Sequence, residues 1–313
     1  MKATHVIFGG PGKVHLRDID VADPKPHEIQ VKCLANGICM YEVSIFRGTE
    51  ATPVWPAGHE GIGVVTKVGS EVTGIAEGDC VTTVQWATLQ NQPASTTARF
   101  QRIPADPALF FVEPCSCVVT AWNSYDLAAG DRVLILGVGY MGLLNVQALA
   151  GCPLAELVVA DVKPDNLALA TSFGATEAVN VATPEGKARL EALKARPLDL
   201  VIEAAGTTQT IQMAGPLTRV GGRLSVFAWH HGLESVDMTV WHLRGLRVLN
   251  SAPPIGTDHA VNSMQRAVWL LERGVFDQGR LVTHRHPFSD VQEALELAAA
   301  RPQGYRKGVL VFP

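Results

Sequence analysis

The sequence predicts an α/β fold in which a doubly wound parallel sheet is joined to a mostly β domain. Between residues 122 and 253, apolar strand-like runs alternate with helical segments, which is typical of a parallel sheet with right-handed crossovers. Residues 1–121 instead contain short strand-like runs separated by Gly, Pro and Asp turns. We therefore expect a nucleotide-binding domain over residues 122–253 and a second domain formed by residues 1–121 and 254–313.

The predicted strands follow this division. In the mostly β part they cover residues 3–8, 28–35, 61–68 and 80–84, with imperfect alternation typical of a distorted barrel. In the alternating part six strands are predicted, the number that a doubly wound dinucleotide domain needs, at residues 133–136, 157–160, 178–181, 200–203, 223–228 and 246–250. A last strand at Lys307–Phe312 predicts that the tail returns to the first domain.

A glycine motif follows the first strand of the alternating part. Gly137, Gly139 and Gly142 form G-x-G-x-x-G between an apolar strand and a helix. The first glycine permits a tight turn, the second lets a pyrophosphate approach the backbone, and the third lets helix and strand pack closely. The amides of Tyr140 and Met141 at the helix start would attract phosphate charge. In this context the motif predicts a Rossmann dinucleotide site.

An acidic residue closes the next strand. Asp161 lies 19 residues after Gly142, where a carboxylate accepts hydrogen bonds from the adenosine ribose hydroxyls. Its charge would repel a 2′-phosphate, so NAD is favoured over NADP. Lys163 nearby leaves NADP as the less favoured alternative.

Composition excludes several functional classes. Charged residues make up 18% of the 313 positions, below the ~25% of an average protein, and the net charge is −4. With no basic face, we expect no nucleic-acid partner. Neither a signal peptide nor an 18-residue apolar run is visible, so we expect no membrane partner and a cytoplasmic location.

Two short stretches carry the predicted chemistry. They are Gly37-Ile-Cys39-Met-Tyr41-Glu42 and Gly58-His59-Glu60-Gly61-Ile-Gly63. Together with Glu113-Pro114 and the glycine motif, they resemble the zinc-dependent medium-chain alcohol and polyol dehydrogenases, in particular their sorbitol and threonine dehydrogenase-like members. The resemblance covers essentially the whole chain and implies that the mostly β part is a GroES-like catalytic domain.

The resemblance implies a catalytic zinc site. Cys39, His59 and Glu113 would be its ligands, with Glu60 as a carboxylate that can exchange with water at the metal. Thiolate, imidazole and carboxylate suit Zn²⁺, and a catalytic site keeps one open position. Cys115 and Cys117 are close enough to Glu113 in the sequence to be rival ligands.

The chain departs from the family at several positions. Residues 81–112 contain no cysteine, so we expect no structural zinc. Tyr41 stands where many members have Ser or Thr, which makes its hydroxyl the candidate proton relay, or else a pocket-lining aromatic. Ser44 stands where many have His, and Glu42 replaces the Asp that orients the histidine ligand.

The remaining candidate contacts follow from position in the chain. Ala205, Ala228 and Trp229 follow two predicted strands at the carboxyl edge of the sheet, where a cofactor binds. Ser44, Trp55, Gln85, Trp86, His230 and His231 are candidates for the substrate pocket.

These features predict hydride transfer between NAD(H) and a secondary alcohol or polyol, or its ketone or aldehyde. Two alternatives stay open: a metal-free quinone or enoyl reductase on the same scaffold, and a non-catalytic NAD(H)-binding protein. The resemblance also implies a homodimer or homotetramer, with Leu246–Asn250 as a candidate contact strand.

Overall fold

The computed structural model describes residues 1–51, 57–252 and 258–313, with the backbone alone at residues 83, 258 and 259. Its strands are β1 (Lys2–Gly10), β2 (Lys13–Asp20), β3 (Glu28–Gly37), β4 (Gly61–Val68), β5 (Cys80–Val84), β6 (Leu89–Pro93), β7 (Arg132–Leu136), β8 (Glu156–Asp161), β9 (Glu177–Asn180), β10 (Leu198–Glu203), β11 (Thr218–Val226), β12 (Arg247–Asn250), β13 (His284–Pro287) and β14 (Gly308–Val311). Its α-helices are α1 (Met40–Arg47), α2 (Val112–Ser124), α3 (Tyr140–Leu149), α4 (Pro164–Phe173), α5 (Pro184–Leu193), α6 (Thr208–Leu217), α7 (Met238–Leu243), α8 (Asp258–Glu272) and α9 (Val291–Ala300).

The chain forms two compact units. Unit 1 consists of Met1–Ser116 and Pro254–Pro313, and unit 2 of Cys117–Pro253. The division falls inside α2, the helix that also contains the boundary expected after residue 121. Within the described ranges, no helix has both the length and the apolar character needed to cross a bilayer.

Unit 1 is built around a sheet in which β3 is central. The strand order is β13-β14-β3-β4-β5, and β6 also pairs with β3. Strand β14 runs antiparallel to β3 and places Val309 opposite Gly37, so the tail does return to the first domain as predicted. Apolar side chains such as Ile29, Val31 and Leu310 form the core beneath this sheet. The arrangement brings residues from both ends of the chain to the carboxyl end of β3.

Unit 2 is the predicted doubly wound domain. Six parallel strands have the order β12-β11-β10-β7-β8-β9, which places the first strand of the unit, β7, beside the fourth, β10. In such sheets ligands bind at the carboxyl ends of the strands where the order reverses. Apart from Arg132, Asp199 and Glu203, both strands consist of buried apolar residues, as expected for a sheet covered on two faces. The fold class is therefore confirmed.

One short helix that the sequence did not predict matters for the site. Helix α1 starts directly after Cys39, two residues beyond the end of β3, and stops at Gly48, whose φ of 77° suits glycine. Tyr41, Glu42 and Ser44 lie on it. The turn between β3 and α1 therefore fixes several candidate site residues at once.

Candidate metal centre and nucleotide-binding loop

Five side chains of unit 1 form a cluster of potential metal donors. The donor atoms of Cys39, Glu42 and His59 lie within 4.8 Å of one another, and so do those of His59, Glu60 and Glu113. Cys39 precedes α1, His59 and Glu60 precede β4, and Glu113 lies in the first turn of α2. Three segments that are distant in sequence therefore meet at the imidazole of His59.

The two ring nitrogens of His59 have different partners. Nδ1 lies 2.8 Å from Oε1 of Glu42, and Nε2 lies 3.9 Å from Oε2 of Glu113. Glu42 is buried, and its other oxygen has no hydrogen-bond partner among the described residues. Such a carboxylate holds the Nδ1 proton and leaves Nε2 available to a metal. The contact between Glu42 and His59 that the sequence suggested is thus present.

Two donors of the cluster, the Cys39 thiol and the His59 imidazole, have raised pKa values. Burial raises the pKa of the Cys39 thiol, although the neighbouring His59 lowers it in part. Burial lowers the pKa of His59, but the charge of Glu42 and hydrogen bonds to Cys39 and Glu42 together hold that pKa well above its usual value. A divalent cation at these donors would displace both protons. Sulfur, imidazole and carboxylate at this spacing fit Zn²⁺.

A buried lysine that the sequence did not predict adjoins the cluster. Nζ of Lys307 lies 2.5 Å from Oε2 of Glu60 and donates to the main-chain oxygen of Ile38 at 3.1 Å. Burial lowers the pKa of Lys307, but the charges of Glu60 and Cys39 raise it overall. The only sign in the sequence was a cation directly before the last apolar strand.

Tyr41 lies next to the histidine of the cluster. Its ring meets the ring of His59 edge to face, with centroids 6.3 Å apart and planes inclined at 65°. Ser44, one turn further along α1, is buried, with 6% of its surface exposed. Of the two residues that replace the family's relay, Tyr41 therefore has the position next to the donors.

The three glycines of the nucleotide loop have different surroundings in unit 2. Gly137 has a φ of +91°, and a Cβ there would lie 2.8 Å from the backbone of Ala205. A Cβ on Gly142 would lie 2.1 Å from the carbonyl oxygen of Gly137. Apart from its immediate chain neighbours, Gly139 has no atom of the described residues within 4 Å of such a Cβ. The first and third glycines are thus required by packing, whereas the second leaves open space at the start of α3.

Asp161 closes β8 beside this loop. Its Oδ2 accepts a hydrogen bond from the amide of Val138 at 2.7 Å, and its Oδ1 accepts one from the amide of Lys163 at 2.8 Å. A carboxylate oxygen can accept a second hydrogen bond. Within the described part of the chain, no side chain caps the start of α3, which leaves that helix end to other partners.

Glu203, at the end of β10, is a buried carboxylate with a full set of donors. Its Oε1 accepts from the amides of Ala205 and Gly206, each at 2.9 Å, and its Oε2 pairs with Nε2 of His230 at 2.7 Å. The other ring nitrogen of His230 lies 3.3 Å from Glu234. Both nitrogens of His230 are therefore engaged inside unit 2, and its place in the substrate pocket stays a prediction.

The loop after β11 is attached to the same strand end. The amide of Ala228 donates to the main-chain oxygen of Glu203 at 2.9 Å. Trp229 is 62% exposed, and its ring lies 6.0 Å from that of His231. The predicted cofactor contacts Ala205 and Ala228 thus both bond to Glu203 and lie at the carboxyl edge of the sheet.

Comparison with known proteins now identifies the family. A model of the alcohol dehydrogenase GroES-like domain matches residues 25–152, and a model of zinc-binding dehydrogenases matches residues 137–268. The chain belongs to the zinc-type medium-chain alcohol and polyol dehydrogenases. It is therefore an oxidoreductase of a family that acts on small-molecule alcohols, and the mostly β unit is its GroES-like domain.

Curated relatives agree over nearly the full length. An uncharacterized zinc-type alcohol dehydrogenase-like protein, YdjJ of Escherichia coli, is 26% identical and covers 99% of both chains. Sorbitol dehydrogenase of Ovis aries is 25% identical over 93% of this chain and 92% of its own. Erythritol/L-threitol dehydrogenase of Mycolicibacterium smegmatis is 23% identical over 99% and 98%.

Solved structures share the fold. An Escherichia coli oxidoreductase of unknown specificity superposes with a TM-score of 0.89 at 24% identity, with full coverage of both chains. A putative zinc-binding dehydrogenase of Sinorhizobium meliloti bound to NADP has a TM-score of 0.85 at 23% sequence identity. An Escherichia coli alcohol dehydrogenase complexed with NADH has a TM-score of 0.86 at 22% sequence identity. Each comparison covers 99% of both chains.

The other pocket candidates of this dehydrogenase differ in accessibility. Trp86 is fully buried in the core of unit 1, where its indole nitrogen donates to the main-chain oxygen of Gly37 at 3.4 Å. A Cβ on Gly58 would lie 2.2 Å from the same indole, so Trp86 packs against the turns that precede Cys39 and His59. Gln85 is half-buried, and Trp55 lies outside the described residues.

The rival thiols do not join the donor cluster in unit 1. Cys115 is buried, and its sulfur accepts a hydrogen bond from Nε2 of Gln278 at 3.2 Å. Burial raises its pKa well above the usual value, so the thiol stays protonated. Cys117 belongs to unit 2. Neither residue appears in a group of potential metal donors among the described residues, and Glu113 keeps that role.

The glycine loop provides a matched pair of substitutions. We expect Gly139→Val to leave the melting temperature within about 2 °C of wild type while raising the Kd for NADH at least tenfold, because its side chain fills only the open space. Gly142→Ala should instead cost roughly 1–3 kcal/mol or more of stability, because its methyl group meets a carbonyl oxygen. Calorimetry and NADH fluorescence titration measure both effects. Tight NADH binding by Gly139→Val would contradict this assignment.

Proposed function

We propose that this chain is a zinc-dependent, NAD-linked dehydrogenase that interconverts a secondary alcohol or polyol with its ketone or aldehyde. The observation that carries the proposal is that His59 belongs to two groups of potential metal donors, one with Cys39 and Glu42 and the other with Glu60 and Glu113. Glu42 also fixes the orientation of the imidazole. A glutamate in the third ligand position is typical of the polyol-dehydrogenase-like members, and curated relatives include sorbitol and erythritol dehydrogenases. This supports a substrate with more than one hydroxyl.

When bound, Zn²⁺ supplies a Lewis acid that lowers the pKa of an alcohol, and NAD supplies the hydride-accepting ring. The residues of the chain do the rest. Glu42 holds the His59 ring in place, so that the metal-donor atoms keep a fixed arrangement. Tyr41 lies against His59, and its hydroxyl relays the proton of the alcohol: it releases its own proton to water as it accepts that of the substrate.

The loop residues of unit 2 hold the cofactor. The open space at Gly139 and the uncapped start of α3, with the amides of Tyr140 and Met141, would accept the pyrophosphate. Ala205, Ala228 and Trp229 would line the nicotinamide portion. A metal-free quinone or enoyl reductase has no use for the Cys39 and His59 donor pair. A non-catalytic NAD(H)-binding protein is the remaining alternative.

Removal of the thiolate ligand tests the metal proposal. We expect Cys39→Ser to reduce bound zinc from about one equivalent to less than about a tenth of an equivalent, because the proposed thiolate ligand is lost. For the same reason kcat should fall at least about a thousandfold. Zinc is measured by elemental analysis after dialysis, and turnover by NADH absorbance with a panel of polyols. Cys152→Ser, a half-buried thiol of unit 2, serves as the control and should retain both. Full activity of a zinc-free enzyme would favour the reductase alternative.

The preference for NAD rests on Asp161. Its carboxylate is held at the glycine loop by the amides of Val138 and Lys163, where it meets the ribose hydroxyls of NAD and repels a 2′-phosphate.

We expect Asp161→Ser to lower the ratio of kcat/KM for NAD to that for NADP at least tenfold. The ratio is informative because any general loosening of the loop affects both cofactors equally. Asp165→Ser, which removes an exposed acid from the first turn of α4, is the control and should leave the ratio within twofold. An unchanged ratio in Asp161→Ser would remove the argument for NAD.

Self-association through β12 is the third part of the proposal. This strand lies at one edge of the parallel sheet of unit 2. Three apolar side chains there are exposed: Val248 of β12 at 39%, and Met238 and Leu243 of α7 at 62% and 75%. An unpaired strand edge can bind the same edge of a second copy about a two-fold axis. We infer a homodimer or homotetramer.

Sedimentation velocity at micromolar concentration tests this inference. Val248→Arg should shift the protein to a smaller species, since a charge enters the contact. Val220→Arg, at a position that is 69% exposed in the same unit, should not. A monomeric wild-type protein would refute the inference.

A further inference from the structure

One buried cation contacts two of the three segments that carry potential metal donors in unit 1. Nζ of Lys307 donates to the carbonyl of Ile38, the residue before Cys39, and pairs with Glu60, the residue after His59. The Lys307 and Glu60 side chains are 5% and 3% exposed. A buried ammonium and carboxylate need each other, because neither has water to replace its partner.

The backbone holds Lys307 firmly in this position. The amide of Ile38 donates to the carbonyl of Gly308, directly after the lysine, at 3.0 Å. On the other side, the amides of Thr283 and His284 donate to the carbonyl of Lys307 at 2.9 and 3.2 Å. The lysine is therefore fixed between β3 and β13, and its side chain reaches the donor cluster from a defined origin.

Gly37 leaves the space that the ion pair occupies. A Cβ at this position would lie 1.8 Å from Oε2 of Glu60 and 3.1 Å from Cε of Lys307. The backbone at Gly37 does not have a positive φ, so its conformation alone does not require glycine. The missing side chain is accounted for by the carboxylate that lies over it.

Glu60 therefore has two possible partners. Its carboxylate belongs to the donor group with His59 and Glu113, and it also neutralises Lys307. If it bound the metal fully, it would occupy the position that a substrate oxygen needs. We propose that Lys307 is a positioning residue that retains Glu60 as its counter-ion and so keeps one metal position exchangeable for substrate. This inference rests on the proposed metal centre.

The experiment uses Co²⁺ in place of Zn²⁺, because the visible absorption of Co²⁺ reports the number and kind of its ligands. Imidazole, a small ligand for an open metal position, is titrated into the full-length protein without alcohol or NAD. Four variants are compared with wild type: Lys307→Met, Lys307→Arg, Glu60→Gln, and the double variant Lys307→Met/Glu60→Gln.

In Lys307→Met the released carboxylate should bind the metal. We expect an altered Co²⁺ spectrum and a Kd for imidazole at least tenfold higher than in wild type. Lys307→Arg should stay within threefold of wild type, since it keeps the charge. The double variant should also return to within threefold, because it lacks both the cation and the competing carboxylate. Glu60→Gln alone should leave the spectrum unchanged, because Glu60 does not bind the metal in wild type.

Each other outcome overturns the inference. An unchanged Kd in Lys307→Met, or a double variant as weak as Lys307→Met, would reduce Lys307 to a packing role. Should Lys307→Met fail to fold, Glu60→Gln still decides, because a changed spectrum in that nearly isosteric variant would make Glu60 a standing ligand. A wild-type protein that binds no Co²⁺ would instead refute the proposed metal centre itself.

Discussion

A histidine ring offers two nitrogens, and the candidate metal centre depends on the way in which Glu42 occupies one of them. With Nδ1 bonded to this buried carboxylate, the ring cannot rotate away, and Nε2 points to the other donors. Glu42 lies three residues after Cys39, on the helix that begins at the end of β3. The same turn therefore supplies the sulfur donor and fixes the orientation of the imidazole donor.

Unit 2 solves a comparable problem with a different carboxylate. Glu203 lies at the carboxyl end of β10, beside β7 and its glycine loop, where the strand order of the sheet reverses. A fully buried charge is tolerated only when its oxygens are satisfied, and here the amides of Ala205 and Gly206 and the ring of His230 satisfy them. The result is that the two loops beside the glycine motif are fastened to one point.

The features that the sequence predicted are those encoded by neighbouring residues. The alternation of strands and helices predicted the doubly wound sheet, and the G-x-G-x-x-G motif predicted the nucleotide loop, because both depend on local pattern. The contact between Glu42 and His59 could also be predicted, because Glu42 stands where the family has the Asp that orients the histidine ligand. Helix α1 was not predicted because it has only eight residues and the side chain of its N-cap residue, Cys39, makes no capping hydrogen bond.

Other features depend on contacts between distant segments, and these could not be predicted. Lys307 meets Ile38 and Glu60 only because β14 pairs with β3, and no local pattern specifies that register. Trp86 resembled a pocket aromatic, but the close approach of Gly58 places it in the core. Gly37 has a wider consequence. A side chain at this position would collide with the carboxylate of Glu60. A relative that lacks the pair of Glu60 and Lys307 could therefore have alanine or serine there. Positions 37, 60 and 307 should therefore change together in evolution, as a single inherited trait.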